Sequence, residues 1–198
     1  MNAFIAMEKY IVKEEKNCGV GVPVSLDENV AMAESSRKKN VESYNNWMLI
    51  KIPGKDFFLD IEKPLVEQSD DVLNVLMGKD FLMSLFFHEA KNLLNTMGEN
   101  LEGKDINEES NRLFDELAKE KYDLLLKIPT GLDFFNFVNS KCVTHDRAKS
   151  SSLLWNFGIK GCRYSDDSGE RFLLFNAKKD IEPLEYRSQV LENSTLNL

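Results

Sequence analysis

The clearest periodic signal lies in the middle of the chain and is helical. Phe81, Leu82, Leu85, Phe86, Ala90, Leu93, Leu94 and Met97 recur at three- and four-residue spacing. They predict a helix capped by Asp80 and ended by Gly98. Ahead of it, Ser69 caps a short helix to Met77. After the polar residues 98–106, Asn107 caps a helix to about Leu126, with Leu113, Phe114, Leu117, Leu124 and Leu125 on one stripe. Thr130 caps a helix from Gly131 to Val138 or slightly beyond. Thr144 caps another from His145 to Phe157, which Gly158 ends.

On both flanks the period changes. Cys18 to Ser25 alternates apolar residues with glycine and predicts a short strand, in which Pro23 points to an edge or an irregular position. Ser25 or Asp27 then caps a helix to about Tyr44. Trp47 to Pro53 predicts a strand stopped by the turn pair Pro53-Gly54. Residues 55–68 read as a loop that Phe57, Phe58 and Leu59 anchor to the core. Towards the C-terminus, Ile159 to Tyr164 reads as a strand, Asp166 to Gly169 as a turn and Arg171 to Phe175 as a buried strand. A last strand is expected over Ile181 to Tyr186. Residues 1–17 show no single period. Helices in the middle and strands at both ends predict an α+β fold. Its small mixed sheet joins N- and C-terminal strands around a central helical segment. No internal repeat or low-complexity linker interrupts the chain, so one domain is expected over 1–187, with 188–198 a flexible C-terminal tail.

Composition narrows the class. The chain has 198 residues, 42% hydrophobic and 29% charged, which suits a globular domain with its own core. A net charge of −8 disfavours broad affinity for nucleic acid or an anionic membrane. No stretch approaches the roughly eighteen apolar residues of a membrane span, and the N-terminus lacks the pattern of a signal peptide. Cys18, Cys142 and Cys162 are odd in number and widely spaced, which fits neither a disulfide framework nor a zinc knuckle. A cytoplasmic protein is expected, with no metal site. Charge is unevenly spread: eight acids and three bases lie between Glu99 and Glu120, against five bases and one acid between Lys141 and Arg163. A solvated surface explains both runs. The sharper alternative is a basic stretch facing an anionic ligand such as a phosphate.

Candidate chemistry is sparse. The chain has no P-loop, dinucleotide fingerprint, HExxH, GxSxG or paired CxxC. Gly19-Val20-Gly21 is a lone GxG, explained by close backbone approach at least as well as by a phosphate cradle. His88, beside Glu89, reads as a helix-surface histidine. His145 stands at a helix start near Arg147 and Lys149. Together with Arg163 the two histidines supply the residue types of an acid–base ribonuclease, although nothing in their spacing brings them together. Asp166 and Asp167 are accounted for by turn chemistry. Glu170, beside Arg171 and near Arg163, is either half of a strand-edge ion pair or a carboxylate placed to orient a ribose.

Four segments taken in order carry a resemblance. They are GVGVPVSLDENVA (Gly19 to Ala31), MLIKIP with FFLDIEKPLVEQS (Met48 to Ser69), TGLDFFNFV (Thr130 to Val138), and AKSSSLLWNFGIKGCRY followed by RFLLFN (Ala148 to Asn176). This series resembles a domain common in large polyvalent proteins of phages and other mobile elements. That domain is similar to ADP-ribosyltransferases of the His-Tyr-Glu type, related to diphtheria toxin and the poly(ADP-ribose) polymerases. The Pro-Leu-x-x-Gln loop at Pro64 to Gln68 and the Gly-Ile-Lys-Gly-Cys-Arg-Tyr strand ending at Tyr164 are its most specific parts. The resemblance implies an ADP-ribosyltransferase-like fold and an NAD pocket formed by Gly19, Gly21, Ser25, Arg163 and Tyr164.

The departures from the family pattern are specific. No His-Gly occurs anywhere in the chain, and the strand that carries it in the family falls upstream of Phe4. The tyrosine that stacks on nicotinamide falls at Pro23. Arg171 occupies the place of the catalytic glutamate, with Glu170 one residue earlier, and a one-residue slip in a strand turns a side chain to the other face. The resemblance therefore implies a degenerate member that needs no cofactor. Such a protein acts in the bacterial host cytoplasm by binding a host or phage protein, as an inhibitor or anti-defence factor. The alternative is an active, divergent transferase with Glu170 catalytic and NAD as cofactor. A third reading is a small RNA-cleaving toxin using His145 and Arg163.

Overall fold

The computed structural model describes residues 1–6, 13–14, 18–36, 44–87, 89, 91, 106–142 and 145–190. Its strands are β1 (Asn2–Ala6), β2 (Lys13–Glu14), β3 (Val20–Ser25), β4 (Tyr44–Lys51), β5 (Phe58–Asp60), β6 (Gly161–Asp166), β7 (Gly169–Leu174) and β8 (Glu182–Val190). Its helices are α1 (Glu28–Ser36), α2 (Asp70–Met77), α3 (Lys79–Leu85), α4 (Ile106–Leu125), α5 (Gly131–Lys141), α6 (Arg147–Asn156) and the single turn α7 (Ala177–Asp180). The strands form one sheet in the order β5-β6-β7-β3-β1-β4-β8, and β2 pairs with the first half of β3. Every pair is antiparallel except β5 with β6. The fold is α+β, and its mixed sheet does join the two ends of the chain. No described helix is long and apolar enough to cross a membrane.

Strand alternation divides the core in two, because successive side chains point to opposite faces of a sheet. On one face Leu59, Cys162, Tyr164 and Leu173 pack against Val72 and Leu76 of α2, Phe81 and Leu82 of α3, and Phe134, Phe135 and Val138 of α5. Leu125 of α4 and Leu154 of α6 complete this cluster. On the opposite face Ile5, Val22, Val24, Ile50, Phe58, Phe172 and Leu174 form a second cluster, closed by Ala177. The rings of Phe58 and Phe172 meet edge-on there at 5.0 Å. In β5 and β7 neighbouring residues fall in different clusters, Phe58 and Leu59 in one strand and Phe172, Leu173 and Leu174 in the other, so both faces of these strands are apolar. α1 lies on the first face over β1, β3 and β4, and Trp47 donates its indole N–H to Glu28 at 2.8 Å.

Several local signals act where the sequence places them. Ser69 accepts from the Val72 amide (3.3 Å) and Thr130 from the Asp133 amide (3.1 Å), each capping the helix that follows. At the β6–β7 hairpin, Asp166 accepts from the Ser168 amide at 2.8 Å and Gly169 adopts φ 102°, as a tight turn requires.

Other expectations need correction. Asn2–Ala6 is an interior strand between β3 and β4 although its sequence shows no period. β5 arises inside the expected loop, and Phe57 there is 41% exposed instead of anchoring it. β4 already begins at Tyr44, so the first helix, described over Glu28–Ser36, does not reach that residue. Asp80 lies inside α3, whose cap position is Gly78, and Phe86 interrupts that helix with φ −106° and ψ 33°. Asp146, not Thr144, caps α6 by accepting from the Ala148 amide at 2.9 Å. His145 precedes that helix with φ 47°. The last strand runs on to Val190, past the boundary expected at 187. Gly98, His88 and the tail from 191 lie outside the described residues.

Pro23 sits in an interior strand, yet in an irregular position. β1 meets β3 at Phe4–Ser25 and β2 meets it at Lys13–Gly21 and Glu14–Val20. Among the described residues this leaves Val22 to Val24 unpaired on that flank. A residue with no N–H is tolerated in such a gap.

Candidate functional site

The hairpin of β6 and β7 carries the charged residues around which any site must be built. Their register is Arg163 opposite Phe172, Tyr164 opposite Arg171 and Ser165 opposite Glu170. Cross-strand partners share a face and sequence neighbours do not. Arg163 and Glu170 therefore stand on one face of the sheet, and Tyr164 and Arg171 on the other. β3 extends the second group, because Ser25 lies opposite Arg171.

Arg171 is the more enclosed of the two arginines, at 5% exposure. Its Nη2 lies 2.8 Å from Glu34 Oε1 on α1, and its Nη1 lies 3.7 Å from Asp166 Oδ2 at the hairpin tip. Burial opposes its positive charge; the Glu34 hydrogen bond and charge, then Tyr164 and Asp166, outweigh that, so the guanidinium is held more firmly protonated than usual. An open cleft of about 270 Å³ lies beside it, lined by Asn29, Val30, Glu34, Asp166, Ser168 and Arg171.

On the other face Arg163 binds Asp60 of β5 at 3.0 Å and approaches Glu170 at 3.8 Å. Asp60 is in turn set by Gln68. The Gln68 side chain accepts from the Asp60 amide (2.8 Å) and donates to the carbonyls of Asp60 (2.8 Å) and Lys63 (3.1 Å). That explains the Pro-Leu-x-x-Gln loop physically, as a buried side chain replacing backbone partners that a three-residue strand cannot supply. The start of α5 docks on the same loop through Gly131 N–H to Lys63 O (2.8 Å) and Leu132 N–H to Ile61 O (3.1 Å).

The remaining expected pocket residues are occupied by packing. A side chain on Gly19, which has φ 134°, would meet Phe175 and the Ser151 hydroxyl; one on Gly21 would meet the Leu174 carbonyl. Both glycines permit close approach of β3 to its neighbours. The Val20 amide next to them donates to Ser151 of α6 at 2.9 Å. Ser25 is 2% exposed and accepts from the Asp27 amide at 3.0 Å, starting the turn into α1. Asp27 then accepts from the Asn29 amide at 2.8 Å. Tyr164 is 4% exposed and belongs to the helix-covered core.

The expected residues thus fall into three groups. Arg163 and Glu170 meet, Ser25 and Tyr164 flank Arg171, and the two glycines lie beneath α5, α6 and β7. Glu34, Asp60 and Gln68 were not singled out by the sequence. Only the Pro-Leu-x-x-Gln spacing held a signal, for Gln68, whereas the acids come from segments distant in the chain. Among the described residues each arginine is opposed by two carboxylates, so the formal charge of each described cluster is negative. An anionic ligand would have to displace a carboxylate to reach either guanidinium.

The basic stretch is similarly dispersed. Lys141 lies 3.4 Å from Glu89 and over the Phe86 ring, while Lys160 sits over the Trp155 ring at 4.6 Å. His145 is exposed in the turn before α6.

Comparison with models of protein families, with curated proteins and with solved structures yields no match to this chain.

Proposed function

We propose that the chain is a degenerate ADP-ribosyltransferase-like protein of a phage or mobile element. It acts by binding a host or defence protein, as an inhibitor or anti-defence factor, and performs no chemistry of its own. The observation that carries this reading is the buried Arg171–Glu34 pair. In the resemblance Arg171 stands where a transferase needs its catalytic glutamate, and here that position is neutralised from within by α1. Among the described residues the neighbouring cleft has two carboxylates to one arginine, which is unfavourable for the diphosphate of NAD. Glu170 points to the opposite face and cannot take over at the same place.

Calorimetric titration with NAD tests the proposal, with Glu170→Ala as control. No heat of binding and no NAD hydrolysis are expected from either protein. Micromolar binding, about −8 kcal/mol, that weakens in Glu170→Ala would favour the active, divergent NAD-dependent transferase. That alternative draws on one contact, the 3.8 Å approach of Arg163 to Glu170.

A further inference from the structure

β8 ends the strand order of the sheet, next to β4. Among the described residues it pairs with β4 alone, although it is nine residues long. An edge strand carries a row of unpaired N–H and C=O groups, and proteins usually blunt it with proline, bulges or charge. Here Pro183 and a register shift at Leu49/Ile50 guard only the start of β8. The shift leaves Leu184, 46% exposed, without a partner on β4, and beyond it Tyr186 is 71% exposed. Glu185 and Arg187 lie on the face opposite Tyr186, 2.8 Å apart.

We infer that β8 is a self-pairing seam, and that its partner is β8 of a second copy of this chain in antiparallel, two-fold arrangement. Strand geometry leaves few registers. Backbone groups pointing outward alternate along β8, so a two-fold antiparallel pairing must be centred on a residue, and its register changes in steps of two. Centring on Glu185 places that glutamate opposite its own copy, and centring on Arg187 does the same for the arginine. Like charges directly opposite are unfavourable. Centring on Tyr186 places each Glu185 opposite Arg187 of the second copy. It also stacks Tyr186 on its counterpart, and the bulge at Leu184 confines the regular seam to Glu185, Tyr186 and Arg187 of each copy. The strand is therefore self-complementary in charge in that register. An isologous two-fold contact of this kind closes at two copies and does not propagate.

Sedimentation equilibrium on the full chain is expected to show a concentration-dependent dimer. Tyr186→Lys, at an exposed position, should return the protein to monomer while leaving its circular dichroism unchanged. Register is read by cross-linking in a Cys142→Ser background. Under mild oxidation Tyr186→Cys should cross-link to itself. Glu185→Cys and Arg187→Cys should each fail alone and cross-link when mixed. A monomer at all concentrations overturns the inference, as does a dimer that Tyr186→Lys leaves intact. So does an edge that binds extended segments of other proteins but not its own copy.

Discussion

Arg163 and Arg171 lie on adjacent strands, and among the described residues both are opposed by two carboxylates, yet they occupy different environments. Arg171 faces the helical layer; its side chain is 6% exposed and its main partner Glu34 is 15% exposed. Arg163 faces the other way at 18%, and its second partner Glu170 is 41% exposed. One step of strand alternation separates the two settings. The same two residue types are a buried ion pair on one face and a partly solvated cluster on the other, so the cost of disturbing them differs. The Nε of each arginine has no hydrogen-bond partner among the described residues, so neither cluster satisfies every donor.

The sharpest way to break this comparison is Arg171→Met, which leaves the Glu34 carboxylate enclosed without its cation. Loss of one member of a buried pair costs about 3–5 kcal/mol, which urea unfolding will measure. Adding Glu34→Gln to that variant should recover much of the loss, because the uncompensated charge goes with it. If Arg171→Met alone were neutral, the pair would not be enclosed as described.

A smaller effect is expected from Gln68→Ala. It removes the hydrogen bonds that hold Asp60 and leaves buried backbone groups without partners, at about 1–3 kcal/mol. Arg163→Met should cost about 1–2 kcal/mol, since Asp60, although its side chain is only 12% exposed, keeps its own hydrogen bond from the Glu62 amide and the arginine removed is the more solvated of the two. Glu170→Gln should shift stability by less than about 0.5 kcal/mol, as expected for a loose pair in water. An order reversed between Arg171→Met and Arg163→Met would mean that the faces are wrongly assigned.

The smallest expected effects are in pH dependence, where two carboxyls away from the arginines give opposite signs. The hydrogen bond from Lys121 holds Glu89 below its ordinary 4.5, against some burial, with Lys141 adding to the effect. Its contribution to stability is present above pH 4.5 and is lost as pH falls through its lowered value. Burial raises Asp180 above 3.8, against the hydrogen bond from Trp155. Its contribution is present below pH 3.8 and is lost as pH rises through the raised value. Carboxyl-carbon NMR titration should place the Glu89 midpoint below 4.5 and the Asp180 midpoint above 3.8.

What the sequence determined by itself was local. Ser69 and Thr130 cap their helices because capping needs only a side-chain oxygen two or three residues from an unsatisfied amide. The turn at Asp166 to Gly169 and the strands around it follow for the same reason, as does the α+β class from the distribution of periods along the chain. What the tertiary structure decided was everything that depends on distant partners. β5 has three residues and exists only because β6, about a hundred residues later, completes its hydrogen bonds. In Asn2–Ala6 one face carries buried Ala3 and Ile5 and the other runs from exposed Asn2 through half-buried Phe4 to buried Ala6, so four apolar residues follow one another without a polar alternation. The facing of Glu170 and Arg171 follows from strand parity, but their partners Glu34 and Asp60 come from elements whose positions in the sheet no local pattern specifies. Caps and turns are made by neighbours in sequence; a site is made by neighbours in space.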